Sequence, residues 1–447
     1  MSYREYNDRI GGMNHWLFAQ EEFKHLISRP FRGEDYSNVI NGSGVVKGEQ
    51  KYPMGYQEMI IPELKRRADF FGDIPALKSI NPADSKVLTV LVGDKDDPKV
   101  AASRSYVGMK SKTTQLSGLS SMMEEFPSTV TAGEMYEKLE QWNNDTSISI
   151  LMFQLPFGGA AGKTIDTTAL CNRIALEKDG DGLNQMTLGL MSLGAERYYD
   201  CCTPSGMVDL ASVYLVREKG AKLRPDGIAS FAGYEVIVAG RSNIVGEPLF
   251  NLLKRFDATT LGPLHTRTGT GGSSDKETQR KIYIELSRRA DIVFGCMGFH
   301  PYKVHPDTEY FFTSEMLKEG CLVIDASTSF RKDGKKPYGD VDPSARSRAA
   351  AFTLETGGVG PATVTKLVHQ GWIGMLYQNI DKVRQALQDN KSTVVSTFTA
   401  LLAAYAGTSE SDAAGNAETL YNRAVNVDSH PVHAVDALEA IFPALMK

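Results

Sequence analysis

The sequence contains no long hydrophobic run and no paired-cysteine motif, and each absence excludes a class of protein. No stretch approaches the run of about 18 apolar residues that marks a membrane-spanning helix. The five cysteines are an odd number and include no CxxC pair, so neither a disulfide framework nor a zinc site is indicated. We therefore expect no bound metal, no membrane association and a reducing, cytoplasmic location.

An excess of positive charge is also missing. The chain carries 49 Lys and Arg against 54 Asp and Glu, a net charge of −5, whereas nucleic-acid binding requires a basic face. The opening segment MSYREYNDRIGGMNHW is charged and lacks the apolar core of a secretory signal, and Asp8, Glu21 and Glu22 argue against an organellar presequence. At 447 residues, of which 42% are hydrophobic, the chain is long enough for two or three globular domains.

Apolar segments alternate with helical patterns from residue 86 onward, which is typical of an α/β fold. Strands are predicted at residues 86–94, 147–156, 235–240, 258–265, 291–298 and 321–327. Helices are predicted at residues 55–71, 99–119, 202–216, 247–256 and 276–290, with several more after residue 361. Because continuous apolar strands alternate with helices, we expect a parallel sheet covered on both faces.

The segment FGGAAGKTID, residues 157–166, resembles a phosphate-binding P-loop at first sight. That motif needs a glycine, four spacers and then Gly-Lys-Ser/Thr. Counting back from Gly162, the required glycine falls on Phe157, so the pattern fails by one residue. A loop that follows a strand and binds no ATP is the favoured interpretation, and a nucleotide hydrolase that depends on Lys163 is the disfavoured one.

A second glycine segment, VIVAGRSNIVGEPLFNLL at residues 236–253, has strand, turn and helix in the order that binds phosphate. Such a turn points backbone N–H groups and the positive end of the helix at an anion. Gly240 and Gly246 are six residues apart, and Ser242 stands where a GxGxxG pattern has its second glycine. Dinucleotide binding is one interpretation, and a plain strand–turn–helix whose glycines only permit close packing is the other.

The end of the next predicted strand bears on the choice of cofactor. An acidic residue at this position binds the ribose hydroxyl of NAD, but the chain has His265, Thr266 and Arg267 there. These residues tolerate or attract a 2′-phosphate, which favours NADP over NAD. The glycine-rich residues 266–276 that follow are interpreted mainly as a surface loop.

Seven short motifs occur in one order along the chain and make it recognisable. They are SRSYVGMKSK (103–112), FQLP (153–156), KDGDGLN (178–184), CTPSG (202–206), GRSNIVGEP (240–248), GDVD (339–342) and GGVGP (357–361). In this order they resemble the bifunctional methylenetetrahydrofolate dehydrogenase/cyclohydrolase family, over roughly residues 86–370. GRSNIVGxP and GGVGP are specific motifs, and the whole series identifies the family.

The resemblance implies an architecture and two reactions. A catalytic, folate-binding α/β domain at residues 1–215 would be completed by helices at residues 362–447, with a Rossmann-type domain at residues 216–361 inserted between them. The family enzyme is usually a homodimer. This multifunctional enzyme of one-carbon metabolism is an oxidoreductase and a hydrolase: it oxidises 5,10-methylenetetrahydrofolate with NADP and hydrolyses the product to 10-formyltetrahydrofolate.

The resemblance also implies the residues of the two sites. The catalytic residues would be Tyr106, Lys110, Gln154 and Asp181. The tetrahydrofolate substrate would contact Tyr106, Phe153, Gln154, Leu155, Asp181, Gly357, Gly358, Gly360 and Pro361. Gly360 and Pro361 would lie in a loop that closes over the folate. The cofactor would contact Gly240, Arg241, Ser242, Gly246, Pro248, Thr266, Arg267, Gly298 and Thr328.

The implied chemistry explains why such residue types are needed. The hydride step depends mainly on positioning, with Tyr106 stacked on the pterin and Asp181 accepting from its N–H groups. The hydrolytic step needs a proton acceptor, and we expect Lys110, held by Gln154, to fill that role. By itself a helical lysine is usually a solvated surface residue, so the hypothesis rests on the joint appearance of these residues.

Some segments depart from the family pattern. Extra residues precede residue 86 and follow about residues 216 and 376, Thr356 replaces a proline, and a strand end that usually reads like VIDVGIN is VIDASTS at residues 323–329. Two alternatives therefore stay open. One is an NAD-dependent, monofunctional dehydrogenase of a methylene-pterin, and the other is a catalytically silent dinucleotide-binding protein.

Overall fold

The structure is a computed structural model of the chain, and its description is confined to part of the sequence. The described residues are 39–40, 46–47, 50–51, 57, 60–62, 64–65, 68, 77–222, 224, 228–265, 267–268, 275–298, 310–330, 337–355, 357–406, 410–428 and 430–439. Among these residues, no helix combines the length and the apolar character needed to cross a membrane.

The strands are short and most of them lie in the first three quarters of the chain. In chain order they are β1 Val39–Ile40, β2 Val46–Lys47, β3 Gln50–Lys51, β4 Lys86–Val92, β5 Ser120–Phe126, β6 Ile148–Gln154, β7 Glu235–Ala239, β8 Thr259–Thr260, β9 Ile292–Gly295, β10 Cys321–Asp325, β11 Ser329–Phe330, β12 Pro337–Tyr338 and β13 Ala349–Thr353.

The α-helices follow or separate these strands. In chain order they are α1 Pro98–Leu116, α2 Ala132–Asn144, α3 Ala161–Thr164, α4 Thr167–Cys171, α5 Gln185–Leu193, α6 Cys202–Lys219, α7 Gly246–Arg255, α8 Lys276–Arg289, α9 Val359–Gln378, α10 Ile380–Asp389, α11 Lys391–Ala406, α12 Glu410–Val425 and α13 Pro431–Glu439. Of the helix predicted at residues 55–71, the described positions are helical, and its other positions lie outside the described residues.

The chain divides into two compact units. Over the described residues, the first unit comprises 60–200 and the helical segment from Leu367 onward, and the second comprises 201–366 with Gln57 and the strands β1, β2 and β3. The expected boundaries at 215/216 and 361/362 therefore move to 200/201 and 366/367. The first shift arises because α6 packs against α7 and β10 of the second unit.

The first unit is built on a parallel sheet in the order β5–β4–β6. Most residues of β4 and all but the last of β6 are buried, as their continuous apolar sequences predict. The sequence analysis missed β5, because the sequence SSMMEEF of this edge strand carries two glutamates and stays partly exposed. Helix α2 begins with a capping box between Thr131 and Glu134 and packs Leu139 and Trp142 into the core on one face of the sheet.

The second unit contains a parallel sheet in the order β1–β13–β10–β9–β7–β8. Since β8 lies on one side of β7 and β9 on the other, the chain changes direction between β7 and β9. Ligands of open α/β sheets bind in the crevice at the carboxyl ends of the strands beside such a switch point. The predicted strand at 258–265 is shortened to β8, and the chain returns to the sheet when Leu264 N–H donates to Val238 O over 2.8 Å.

Candidate active site

Lys110 lies on α1 with its amine inside the first unit. Its side chain is buried, at 4% exposure for the residue. The Lys110 Nζ atom donates to Gln154 Oε1 over 2.9 Å and lies 3.4 Å from Met152 Sδ. The hydrogen bond expected between Lys110 and Gln154 is therefore present. It joins the helix that follows β4 to the carboxyl end of β6.

Tyr106 precedes Lys110 by one helical turn, so both side chains lie on the same side of α1. The Lys110 amine is 4.8 Å from the centroid of the Tyr106 ring. An amine at that distance from an aromatic ring face is attracted by its quadrupole. The ring is partly exposed, so it can still present a flat surface to a bound pterin.

Strand alternation decides which residues of β6 take part in this cluster. Met152 and Gln154 share one face of β6 and contact Lys110, whereas Leu151 and Phe153 lie in the hydrophobic core. The Phe153 ring packs 5.9 Å from Phe157, centroid to centroid. The Phe153 side chain therefore points to the face of the sheet opposite Lys110, and its expected contact with the substrate stays a prediction.

Leu155 contributes its backbone to the cluster. Its carbonyl oxygen accepts from Gln154 Nε2 over 3.2 Å. With the amide nitrogen held in this way, the Gln154 oxygen is the atom directed at Lys110. The carboxamide is thus oriented by its own strand end before any substrate binds.

The KDGDG segment packs against the same strand as Gln154. Asp179 forms a bridge with Leu151 of β6, and Gly180 N–H donates to Leu151 O over 3.3 Å. Asp181, the residue expected to bind the pterin, follows on this loop and is half-buried. Asp181 thus lies on a loop that is supported by β6 at Leu151, and Leu151 precedes Gln154 by three residues along that strand.

Two other charged residues of this segment hold the loop. Lys178 is buried and donates to the carbonyl oxygens of Trp142 and Asp145 over 3.0 and 2.7 Å, and burial lowers the pKa of its amine. Asp179 accepts from Asn184 N–H and Thr187 Oγ1, both at 2.9 Å. Burial raises the pKa of Asp179 to about 6, and the charge of Asp181 adds to the shift.

Sequence reasoning missed Met152 and Asp179. The position of Met152 could have been found from the alternation of β6, because it precedes Gln154 by two residues. For Asp179 the sequence offers no comparable signal, since its burial depends on the way the loop folds back on β6.

The FGGAAGKTID segment is tied into the first unit by its own backbone. Gly158 N–H donates to Val92 O over 2.8 Å, and Ala161 N–H donates to Ser128 O over 2.7 Å. The N–H groups of Gly162 and Lys163 bond to carbonyls within the segment. These donors are therefore occupied inside the protein, unlike the N–H groups of a loop that cradles phosphate.

The second unit presents a tight glycine turn at the end of β7. Gly240 has φ +112°, which favours glycine, and a Cβ atom there would lie 2.4 Å from Cys296 O. A Cβ atom on Gly246 would lie 2.3 Å from Gly240 O. The turn is thus closed at both glycines and brings the start of α7 to the carboxyl edge of the sheet.

The residues around the Gly240 turn are of the types that bind an anion. Ser242 Oγ accepts from the N–H groups of Val245 and Gly246 over 3.2 and 3.4 Å, which leaves its hydroxyl proton for another acceptor. Arg241 and Ser242 are exposed, and Pro248 is buried in the first turn of α7. A helix N-terminus with an adjacent guanidinium is a favourable place for phosphate.

Two positively charged residues, Arg241 and Arg267, lie near His265, which follows β8. Burial lowers the pKa of His265, and the nearby charges of Arg241 and Arg267 lower it further. Arg267 is exposed, and its N–H donates to His265 Nδ1 over 3.1 Å. Thr266 lies outside the described residues. Two guanidinium groups therefore lie near the position where the ribose of a dinucleotide is bound.

Gly298 and Thr328 occupy the turns after β9 and β10. Gly298 N–H donates to Ser327 Oγ over 2.9 Å, and Thr328 is exposed. Together with the Gly240 turn, these turns line the carboxyl edge on both sides of the switch point. The residues present therefore fit a nicotinamide dinucleotide.

The GGVGP motif is also in the second unit. Gly357 and Gly358 precede α9, whereas Gly360 and Pro361 belong to its first turn. The expectation of a loop at these last two positions is corrected. A proline is compatible with a first helical turn because its missing N–H would have no partner there.

Comparison with known proteins finds two family models on the chain. Residues 201–378 match the NAD(P)-binding domain of tetrahydrofolate dehydrogenase/cyclohydrolase. Residues 65–181 match the catalytic domain of the same family.

Individual proteins show the same likeness. The bifunctional protein FolD of Bacillus subtilis is 32% identical over 281 residues, which is 63% of this chain and 83% of that protein. The crystal structure of the Campylobacter jejuni bifunctional FolD enzyme superposes with a TM-score of 0.58 at 25% identity, covering 72% of this chain and 96% of that one. The Trypanosoma brucei FolD structure, a complex with NADP and an inhibitor, also has a TM-score of 0.58 at 25% identity, with 76% and 97% covered.

Proposed function

The chain belongs to the tetrahydrofolate dehydrogenase/cyclohydrolase family, and from this premise we propose how its residues carry out the two reactions. It oxidises 5,10-methylenetetrahydrofolate to 5,10-methenyltetrahydrofolate and hydrolyses that product to 10-formyltetrahydrofolate. The observation that carries the proposal is the contact of the buried Lys110 amine with Gln154 Oε1, beside the Tyr106 ring.

The first unit binds the folate in this proposal. Tyr106 presents its ring to the flat pterin, and Asp181 accepts from pterin N–H groups through its carboxylate. Asp179, fixed by backbone and hydroxyl donors, holds the loop that carries Asp181. These contacts place the one-carbon bridge of the substrate beside Lys110.

Oxidation removes a hydride from the methylene carbon. A bound nicotinamide would supply the hydride acceptor, and the lone pair of a folate nitrogen replaces the lost electron pair at carbon. No proton moves in this step, so positioning is the main task of the protein. Gln154 and Tyr106 supply it by holding the ring system and the bridge in a fixed orientation.

Hydrolysis requires proton transfer. Water attacks the methenyl carbon and gives up one proton, which leaves a hydroxyl group on that carbon. The bond from carbon to N5 then breaks as the hydroxyl loses its proton to form the formyl carbonyl, and N5 takes up one proton, so one proton is released overall. Lys110 accepts the proton of the attacking water, and Gln154 holds the amine toward it. The contacts of the Lys110 amine with Gln154 Oε1 and Met152 Sδ hold it in a fixed position for this transfer.

NADP is the proposed cofactor of the second unit. Arg241, Ser242 and the start of α7 would hold its pyrophosphate, and Arg241 with Arg267 would pair with the 2′-phosphate. Burial is the main cause of the lowered pKa of His265, and the charges of Arg241 and Arg267 add to it, which supports the closeness of these two guanidinium groups to His265. NAD lacks the 2′-phosphate and would bind less tightly at this edge.

The domain roles and the assembly are also proposed. The first unit, with the helices after Leu367, would bind folate, and the second would bind NADP and join two copies into a homodimer, as the family resemblance implies. Light scattering at micromolar concentration should give twice the 49.0 kDa chain mass. A cytoplasmic location is supported by the five cysteines, which are all buried thiols, and a fluorescent fusion would test it.

Substitution of the lysine tests the proposed mechanism. Lys110→Met should reduce hydrolysis of supplied 5,10-methenyltetrahydrofolate at least about 100-fold, followed by the absorbance of that substrate. Lys112→Met is the matched control, since Lys112 lies on the same helix with an exposed side chain. Undiminished hydrolysis in Lys110→Met would rule out the assignment, and absence of both activities from the unaltered chain would favour a silent dinucleotide-binding protein.

A further inference from the structure

Two aspartates and a serine lie together at the carboxyl edge of the sheet in the second unit. Asp325 ends β10, Ser327 lies in the turn after it, and Asp340 follows β12. The three residues are 6%, 4% and 0% exposed. Burial of a polar cluster costs free energy unless hydrogen bonds satisfy its groups.

The Ser327 hydroxyl connects this cluster to the turn after β9. Its Oγ atom donates to Asp340 Oδ2 over 2.6 Å and accepts from Gly298 N–H over 2.9 Å. The same Asp340 oxygen accepts from Met297 N–H over 2.8 Å. One serine–aspartate pair therefore holds two successive backbone N–H groups of the turn.

Both members of the pair are anchored in the core. The Asp340 carbonyl accepts from the N–H groups of Phe311 and Phe312 over 2.8 and 2.9 Å, and both rings are buried. Ser327 N–H donates to Asp325 Oδ1 over 3.0 Å. Ser327 and Asp340 are therefore held in place independently of the Met297–Gly298 turn. If that turn moved, it would lose its hydrogen bonds to the pair.

The position of the turn after β9 indicates which part of a bound dinucleotide would lie over it. Cys296 packs directly against Gly240, so the turn after β9 adjoins the turn proposed to bind pyrophosphate. The adenosine ribose lies toward β8, where Arg267 is found. The other half of the dinucleotide, which carries the nicotinamide, must then extend over the ends of β9 and β10.

We propose that Ser327 and Asp340 are positioning residues that fix the Met297–Gly298 turn beneath the nicotinamide half of the cofactor. The proposal rests on the function proposed above and extends it to residues that act through the backbone. Ser327 stands where the family's VIDVGIN-like strand end has glycine, so its hydroxyl belongs to this chain's own version of the site.

The test uses the full chain with Ser327→Ala. The dissociation constant for NADPH, measured by its fluorescence, and the KM for NADP should rise roughly tenfold, because Gly298 N–H and Asp340 each lose a partner. Backbone amide exchange at residues 296–298, measured by mass spectrometry without cofactor, should become faster. Hydrolysis of supplied 5,10-methenyltetrahydrofolate should stay within about twofold, since that step uses no cofactor and both of the lost hydrogen bonds lie in the other unit.

Two Asp340 variants and one control separate a positioning role from a general structural role. Asp340→Asn keeps an oxygen that can accept from Ser327 and Met297 and should retain tight NADPH binding, whereas Asp340→Ala should reproduce Ser327→Ala. Ser344→Ala is the matched control, because the Ser344 hydroxyl also donates to an aspartate, Asp342 Oδ1 at 2.7 Å, but on an exposed turn.

Unchanged NADPH affinity and amide exchange in Ser327→Ala would overturn the proposal, as would a parallel loss of hydrolysis, which would indicate a general structural role. Failure of the proposed function is distinguishable from both. In that case the unaltered chain would show neither oxidation nor hydrolysis, while NADPH binding and amide exchange would still decide the role of Ser327.

Discussion

Replacing Gln154 by glutamate would test whether the Lys110 amine must be neutral for hydrolysis. Glutamate has nearly the same shape but carries a charge, and it would stand at the 2.9 Å position now held by the carboxamide oxygen. At an effective dielectric constant of about 20, two unit charges at this distance attract by about 6 kcal/mol. Desolvation of the new carboxylate offsets several kcal/mol of this.

A net stabilisation of the ammonium form by roughly 2–3 kcal/mol remains, which corresponds to about a 30- to 150-fold smaller fraction of neutral amine. Hydrolysis by Gln154→Glu should fall by that factor at neutral pH and recover as pH rises. Oxidation, which moves no proton, should fall less.

The assay follows the loss of 5,10-methenyltetrahydrofolate absorbance between about pH 6 and 10, with oxidation measured separately through NADPH. Gln141→Glu is the matched control, because Gln141 is an exposed glutamine on α2 of the same unit. Hydrolysis at neutral pH equal to that of the unaltered chain would refute the view that Lys110 acts as the proton acceptor.

Three other outcomes are expected. Because burial raises the pKa of Asp179 to about 6, its carboxyl group keeps in the folded protein a proton that the unfolded chain loses near pH 4. The contribution of this group to stability is therefore complete below about pH 4, and about 3 kcal/mol of it is lost as the pH rises through 6. Urea unfolding at several pH values should show this dependence, and Asp179→Asn should not. Phe153→Ala should lower the free energy of unfolding by about 3–5 kcal/mol, and a large rise in the KM for folate without loss of stability would contradict its placement in the core. Arg241→Ala should raise the KM for NADP about tenfold and that for NAD by a smaller factor, because NAD loses only the pyrophosphate contact; an equal rise for both cofactors would place Arg241 on the pyrophosphate alone.

Local pattern was sufficient where a residue's environment follows from its neighbours in sequence. The continuous apolar sequences of β4, β6, β7, β9 and β10 predicted buried parallel strands, because only burial on both faces accounts for such runs. The family motifs, in order, indicated the two reactions and pointed to Lys110 and Gln154. The short glycine spacing at Gly240 and Gly246 indicated a tight turn before α7.

Other features required the folded chain. The face of β6 on which Phe153 lies depends on which side of the sheet receives α1, and the partly polar edge strand β5 is stabilised by pairing with β4 rather than by its own sequence. The boundary at residue 200 depends on the packing of α6 against α7 and β10.

The sequence by itself determined the family, the strand–helix rhythm and the residue types proposed for both sites, because these are carried by short stretches of neighbouring residues. Only the tertiary structure decided that the Lys110 amine is buried against Gln154, and that Ser327 and Asp340 hold the turn after β9. The pairs Lys110–Gln154, Gly298–Ser327 and Met297–Asp340 are 44, 29 and 43 residues apart along the chain. Hydrogen bonds between such distant positions form only when each unit folds and brings them together.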